Sequence, residues 1–271
     1  MTQEAFTFIK PSAPVGVYIR YHWLLRSEES VSQRTFPIGC MQLIFHKGSP
    51  LYVSTSDGYQ SKATVSGQTD YPSCLESSGN LRMIVTVFEP YAAGLILRLP
   101  CELLYNREVA AEDLGDRSLN ELSRNVLETE DDVDCVDLIE SWVFDRVRGS
   151  PGDLNSGRVR GAVRAMNRDP FVSLPRLAET ANLSGKQFGR VFSDTLGMNP
   201  KEFCRVVRFQ RALKLMQGAR EGADGFADIA YACGFSDQSH MIREFRAFSG
   251  LTPLQLAREG SSYSDYFSKP V

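Results

Sequence analysis

Several things are missing from this 271-residue chain, and each absence closes off a class of function. No uninterrupted apolar stretch approaches the ~20 residues of a membrane-spanning helix. Met1 is not followed by a basic and apolar leader, so the expectation is a cytoplasmic protein with no membrane partner. Histidine is scarce: His22, His46 and His240 are the 3 in the chain, too few imidazoles for a histidine-built metal site, and neither metal nor cofactor is expected. The 6 cysteines, Cys40, Cys74, Cys101, Cys135, Cys204 and Cys233, include no CxxC pair and read as reduced and structural. GxSxG, HExxH and P-loop signatures are missing. Cys40 and Cys74 lack a basic partner that would make either a nucleophile, so the chain is not expected to be an enzyme.

What is present is a division of charge. Residues 157 to 258 carry 16 Lys and Arg against 9 Asp and Glu, a net of +7, whereas residues 1 to 156 carry 13 against 22, a net of −9. Such asymmetry is the footprint of a nucleic-acid module joined to a part that must not bind nucleic acid. The length accommodates two domains, each with its own core.

The first part is strand-like. Val17 to Arg20, Gln42 to His46, Leu51 to Thr55 and Leu81 to Phe88 are β-branched or aromatic runs broken by turn residues. Side-chain alternation puts Met41, Leu43 and Phe45 on one face and Cys40, Gln42, Ile44 and His46 on the other, a mixed face that suits a barrel lumen. If this part is a sensor, Trp23, Gln42, His46 and Tyr91 are the candidate effector-pocket residues.

Helical spacing follows. Val136, Ile139, Trp142, Val143 and Val147 form an apolar stripe that docks on the β part or seams a dimer, with Arg146 and Arg148 in the last turn, where the helix dipole favours cations. Gly149 to Gly152 and Asn155-Ser156-Gly157 punctuate the chain. The expected division is 1–150, 151–260 and a loose tail 261–271. Val159, Ala162, Val163 and Met166 mark one more amphipathic helix.

From Leu174 to Leu256 the chain says one thing twice. Leu177, Ala178, Asn182 and Leu183 reappear 52 residues later as Ile229, Ala230, Gly234 and Phe235. Phe188, Arg190, Phe192, Gly197 and Pro200 reappear after 53 as Met241, Arg243, Phe245, Gly250 and Pro253. Each copy reads as a helix, a tight turn and a second helix, capped by Ser184 or Asp237 and ended by Gly197 or Gly250. Two copies are too few for a solenoid and fit a reader of a two-part site. A helix from Pro200 to about Met216, buried through Phe203, Val207, Ala212 and Leu215, joins them. At roughly 25 Å, with the bodies of the two units, it would hold the second helices near the ~34 Å repeat of B-DNA.

Arginine in that register makes the bidentate guanine contact. The base-reading candidates are Lys186, Gln187 and Arg190 in the first copy, and Gln238, Ser239, His240 and Arg243 in the second. Phosphate contacts are expected at the N–H groups capped by Ser184 and Asp237, at Lys201, and at Arg205 and Arg208.

The string Ile229-Ala230 through Gly234-Phe235, then Arg243-Glu244-Phe245, Gly250 and Thr252-Pro253, together with Pro200, Phe203, Arg208, Ala212 and Leu215, resembles the AraC/XylS family of transcription regulators. The resemblance covers about the last 100 residues. It implies two helix-turn-helix units joined by a long helix, beside a domain that senses a small molecule or dimerises. Gly189, Leu256 and the Gly218 to Gly225 link depart from the family pattern. Tyr21-His22-Trp23, Phe36-Pro37-Ile38-Gly39 leading into Gln42-Leu43-Ile44-Phe45, and Val87 to Ala92 resemble the uncharacterised, cupin-like domain that precedes some of these regulators. Ile38 stands there in place of the usual acidic residue.

The expected fold is therefore two-domain α+β: a β-rich, cupin-like barrel, then an all-α domain with two helix-turn-helix units. The expected partners are double-stranded DNA, a small-molecule effector and RNA polymerase, for a chain acting as homodimer or monomer. Two alternatives stay open: a small barrel enzyme fused to a DNA-binding domain, and an effector-independent regulator whose first domain only dimerises.

Overall fold

A computed structural model describes residues 5–148, 154–218 and 225–259. Its strands are β1 (Ala5–Ile9), β2 (Ile19–Ser27), β3 (Val31–Thr35), β4 (Gln42–His46), β5 (Tyr52–Val53), β6 (Gly58–Tyr59), β7 (Ala63–Ser66), β8 (Ser73–Ser77), β9 (Leu81–Phe88) and β10 (Glu108–Ala110). They form two antiparallel sheets, one ordered β1-β2-β9-β4-β7-β10 and the other β3-β8-β5-β6. β4 and β9 match the sequence reading residue for residue. The run from Val17 becomes strand only at Ile19, and of Leu51 to Thr55 only Tyr52 and Val53 pair.

The alternation in β4 decides how the sheets are filled. Met41, Leu43 and Phe45 enter the core that the helices share, whereas Cys40 and Ile44 belong to a second cluster with Trp23, Leu75 and Met83 between the sheets.

The helices are α1 (Ala93–Leu97), α2 (Arg117–Glu128), α3 (Asp132–Arg148), α4 (Leu154–Arg168), α5 (Leu174–Thr180), α6 (Gly185–Leu196), α7 (Pro200–Gly218), α8 (Phe226–Ala232), α9 (Gln238–Ser249) and α10 (Pro253–Glu259). The stripe on α3 is docked: Val136, Ile139, Trp142 and Val143 are buried against α1 and α2. Arg146 does more than meet the dipole. It is buried, donates to Ile96 O at 2.7 Å and pairs with Asp116.

Two expectations change. Asn155-Ser156-Gly157 is not punctuation but the first turn of α4, where Ser156 is buried and donates to Tyr91 O at 2.9 Å. The rest of the expected boundary, residues 149–153, lies outside the described residues, as do the expected loose tail 261–271 and residues 219–224 of the Gly218 to Gly225 link. The apolar core also does not stop at that boundary. One cluster runs from Val15 to Leu256, because α6 packs against α1 on one side and against α4 on the other. Gly197 shows how closely: a Cβ there would lie 2.5 Å from Met41 Cε and 2.9 Å from Cys101 O. Its φ of 91°, like the 75° of Gly250, ends the preceding helix in the left-handed region.

α7 buries Phe203, Val206, Phe209, Ala212 and Leu213. Leu215, expected inside, is exposed, and Val207 is half-buried. The face that wins is the one presenting Phe209 to Phe245 and Phe248 of α9, with ring centroids 4.9 and 5.3 Å away.

Candidate functional site

The two repeated units fold by the same local rule. Leu183 N–H donates to Ala178 O at 3.0 Å, and Phe235 N–H donates to Ala230 O at 2.9 Å. The turn residue between the helices is left-handed in both: Asn182 at φ 53° and Gly234 at φ 79°. Asn is among the few side chains that tolerate this region. Glycine has a further reason at 234, where a Cβ would meet Pro170 O at 2.7 Å. Ser184 then starts α6 in a reciprocal capping box with Gln187, and Asp237 starts α9 by accepting His240 N–H at 2.7 Å. That N–H, first among its partners, holds the Asp237 carboxyl below the usual carboxylate range.

Lys186, Gln187 and Arg190 on α6, and Gln238, Ser239 and Arg243 on α9, are exposed. Gln187 has a second duty, because its Oε1 accepts Ser184 N–H at 3.2 Å and the Ser184 hydroxyl at 2.9 Å. His240 turns inward instead. Its Nδ1 accepts Ser236 N–H at 3.2 Å, its ring meets Phe235 edge-on, and its Nε2 lies 3.9 Å from Glu244. Helical spacing alone does not separate it from its exposed neighbours.

The phosphate candidates divide. Lys201 is exposed at the start of α7. Arg205 is not free for a phosphate: Nε and a terminal nitrogen grip Glu244 at 2.8 and 3.1 Å, the other terminal nitrogen pairs with Glu202, and the guanidinium sits 5.1 Å over Phe248. The bonds to Glu244 are the first cause of its raised pKa. Arg208 is likewise turned inward, donating to Pro170 O at 3.2 Å. Both lie on faces of α7 that hold the two units together, a placement set by what α7 packs against.

Between the sheets is a cavity of about 210 Å³. Strand register builds its floor. Gln42 pairs with Ser66, and Ser66 pairs with Glu108, so an amide, a hydroxyl and a carboxylate stand in one row across β4, β7 and β10. A parallel row holds Trp23, Val85, Ile44 and Thr64. Trp23 and Gln42, two of the expected pocket residues, line the cavity. The other two do not. His46 is buried at the strand end with Nε2 2.8 Å from Gln60 Oε1, and burial lowers its pKa to about 4. Tyr91 packs in the helical core, 5.9 Å from the Arg160 guanidinium. Sequence reasoning missed Gln60, Ser66 and Glu108, whose only signal is a register between distant strands. Glu108 is exposed to solvent at the edge strand and accepts from Gln60 Nε2 at 2.9 and 3.0 Å; partial desolvation by the cavity wall pushes its carboxyl up.

Cys40 does have a basic partner, contrary to expectation: Arg20 donates to its Sγ at 3.3 Å. Burial nonetheless pushes the thiol up, with Arg20 opposing, so the sulfur stays protonated. Among the described residues no group of His, Cys, Asp or Glu is arranged to hold a metal ion, and no helix is long and apolar enough to cross a membrane.

The cavity wall touches the helices. Thr35, Phe36, Ile38 and Cys40 line the cavity, and Ile38 also borders a second cavity of about 290 Å³ between the sheets and α7. The same segment accepts Gln210 Nε2 at Pro37 O, 2.6 Å, and a Cβ on Gly39 would lie 3.1 Å from Phe203. Arg34 reaches past α7 to Ser249 O at 3.2 Å.

Residues 177–259 match the family model described as a helix-turn-helix domain, and residues 7–110 match that of a domain of unknown function, DUF6597. The last third of the chain is an AraC-type helix-turn-helix domain. The chain is 26% identical over 166 residues to an uncharacterised HTH-type transcriptional regulator of Haemophilus influenzae, covering 60% of this chain and 52% of that one. It is 28% identical over 114 residues to the HTH-type transcriptional activator RhaS of Pectobacterium carotovorum, covering 40% of each. The chain thus spans about half, or less, of the length of these curated relatives. Among solved structures, an AraC-type regulator from Chromobacterium violaceum is 26% identical over 39% of this chain and 93% of its own, with a TM-score of 0.35. ToxT of Vibrio cholerae is 10% identical over 93% of this chain and 97% of its own, with a TM-score of 0.44. Within the AraC-type domain, α5–α6 and α8–α9 are the two helix-turn-helix units and α7 is the joining helix.

Proposed function

We propose that this chain is a sequence-specific DNA-binding transcription regulator whose β-rich part adjusts the two helix-turn-helix units in response to a small molecule. The observation that carries the reading is the duplicated unit, with the same left-handed turn, the same closing hydrogen bond and an exposed arginine, Arg190 or Arg243, at matching positions. Nothing among the described residues pairs with Lys186 or Arg190, which suits side chains that meet base edges. Lys201 and the capped N-termini of α6 and α9 supply phosphate contacts that set register. The effector occupies the cavity between the sheets, and the Phe36 to Cys40 wall passes its presence to α7.

In this reading the chain works in the cytoplasm on double-stranded DNA, with RNA polymerase or a second copy of itself as protein partner, and performs no catalysis. Selection of bound fragments from a random duplex library, followed by footprinting, tests it. The expected result is a two-part site whose halves lie about one helical turn apart. Binding with no sequence preference at physiological salt would overturn it.

A further inference from the structure

We infer that the cavity between the sheets takes a small organic cation, an ammonium group carried on an apolar body, with Glu108 as its counterion. The inference rests on reading that cavity as an effector site, and it adds the chemical class of the effector. The cavity has two unlike ends. Trp23, Ile44, Leu51, Val53 and Met83 make one end apolar, and Gln42, Ser66 and Glu108 make the other polar. Of these polar groups Glu108 alone carries a charge.

That charge is held only by a neutral donor. Gln60 Nε2 donates to both carboxylate oxygens, Ser66 stands opposite Glu108 in the β7–β10 register, and no basic side chain forms an ion pair with Glu108 among the described residues. Arg107 also borders the cavity but makes no ion pair with Glu108. The neutral donor is itself fixed. His46 Nε2–H donates to Gln60 Oε1 at 2.8 Å, which turns the Gln60 amide nitrogen toward the carboxylate. Glu108 lines the cavity from the edge strand β10, where it is exposed to solvent, and a carboxylate there with no ion partner attracts a cationic group to the polar end. An ammonium brings three donors, for which Glu108 and the Gln42 carbonyl are acceptors on one row of the floor. A neutral alcohol leaves the charge unmatched, and an anion seated on the Gln42–Ser66–Glu108 row faces the Glu108 carboxylate. The volume of about 210 Å³ lies below the ~300 Å³ at which drug-sized sites begin, so the body is one ring with a short chain.

The test uses three probes that share a ring and a two-carbon spacer: phenethylamine, 2-phenylethanol and 3-phenylpropanoate. Each is titrated by calorimetry and thermal shift into the full chain and its Glu108→Gln variant, with tryptophan fluorescence as an independent reading of occupancy at Trp23. The expected result is that the amine binds wild type at least about tenfold more tightly than the alcohol, that the carboxylate does not bind, and that Glu108→Gln removes the preference for the amine. Equal or tighter binding of the alcohol or the carboxylate, unchanged amine affinity in Glu108→Gln, or binding of none of the three overturns the inference. The wild-type comparison stands even if the variant fails to fold. DNA binding measured on the same samples separates the two readings: selective DNA binding without amine binding sinks the ligand class and leaves the regulator, and the reverse result sinks the regulator.

Discussion

Phe36, in the wall of the β-part cavity, meets Phe209 of α7 edge to face with ring centroids 6.0 Å apart. Phe209 in turn touches both Phe245 and Phe248 of α9, so one ring joins the β-rich part to the second helix-turn-helix unit. Because the ring is fully buried, Phe209→Ala should cost about 3–5 kcal/mol of stability. The milder Phe36→Leu keeps most of the apolar volume, and should weaken the effect of any cavity ligand on DNA affinity more than it weakens DNA affinity itself. Chemical denaturation and paired DNA titrations, with and without ligand, measure both. Unchanged ligand coupling in Phe36→Leu would remove this contact from the route.

Arg190→Ala and Arg243→Ala should each cost about 1–3 kcal/mol on the preferred site and relax discrimination at one base pair. Quantitative footprinting on the selected site and its single-base variants reads this out. If both variants discriminate as wild type does, these arginines are not the readers.

Lys201→Ala should weaken all sequences alike and lower the slope of log affinity against log salt by about 1. A loss confined to the preferred site would move Lys201 among the base-reading residues.

Arg205 and Glu244 tie α7 to α9 through a pair that is mostly, not wholly, shielded from water. Removing the carboxylate charge in Glu244→Gln leaves the guanidinium with Glu202 alone and frees His240 from its neighbour. The expected cost is about 1–3 kcal/mol, between the values for exposed and buried pairs. DNA affinity should fall chiefly at the half-site read by α9. Equal loss at both half-sites in a footprint would contradict a local role.

His46 is held neutral by burial, with its pKa lowered from 6.5 to about 4. Between those values the unfolded chain binds a proton that the folded chain does not, so stability should rise with pH through that window and be complete above about 6.5. Across the window the difference is about 3 kcal/mol at most. His46→Gln keeps a polar partner for Gln60 and should flatten that part of the stability profile. A wild-type profile without slope from pH 6.5 to 4 would contradict the burial argument.

Much of the second half of the chain was legible because its determinants are local. The 52-residue echo of Leu177, Ala178, Asn182 and Leu183 corresponds to a repeated hydrogen bond and a repeated left-handed turn, each closed within a few residues. The alternation from Met41 to His46 likewise sorted two faces, since a strand has only two. Leu215 and Val207 were misplaced because α7 packs on more than one side, and a single apolar stripe does not say which neighbour prevails. Arg205 and Arg208 read as free cations because their partners, Glu244 and Pro170 O, stand 39 and 38 residues away.

Composition, period and repetition in the chain established that it carries a basic pair of helix-turn-helix units, and that strands precede them. Those properties arise from neighbours along the chain, where backbone hydrogen bonding and side-chain period act directly. Folding in three dimensions made the distinctions that matter for function: which cations reach solvent and which are gripped, that one core runs through both parts, and that Gln42, Ser66 and Glu108 share a row. Strand pairing and helix packing bring together residues whose separation in sequence carries no trace of the contact, so only the assembled chain could settle them.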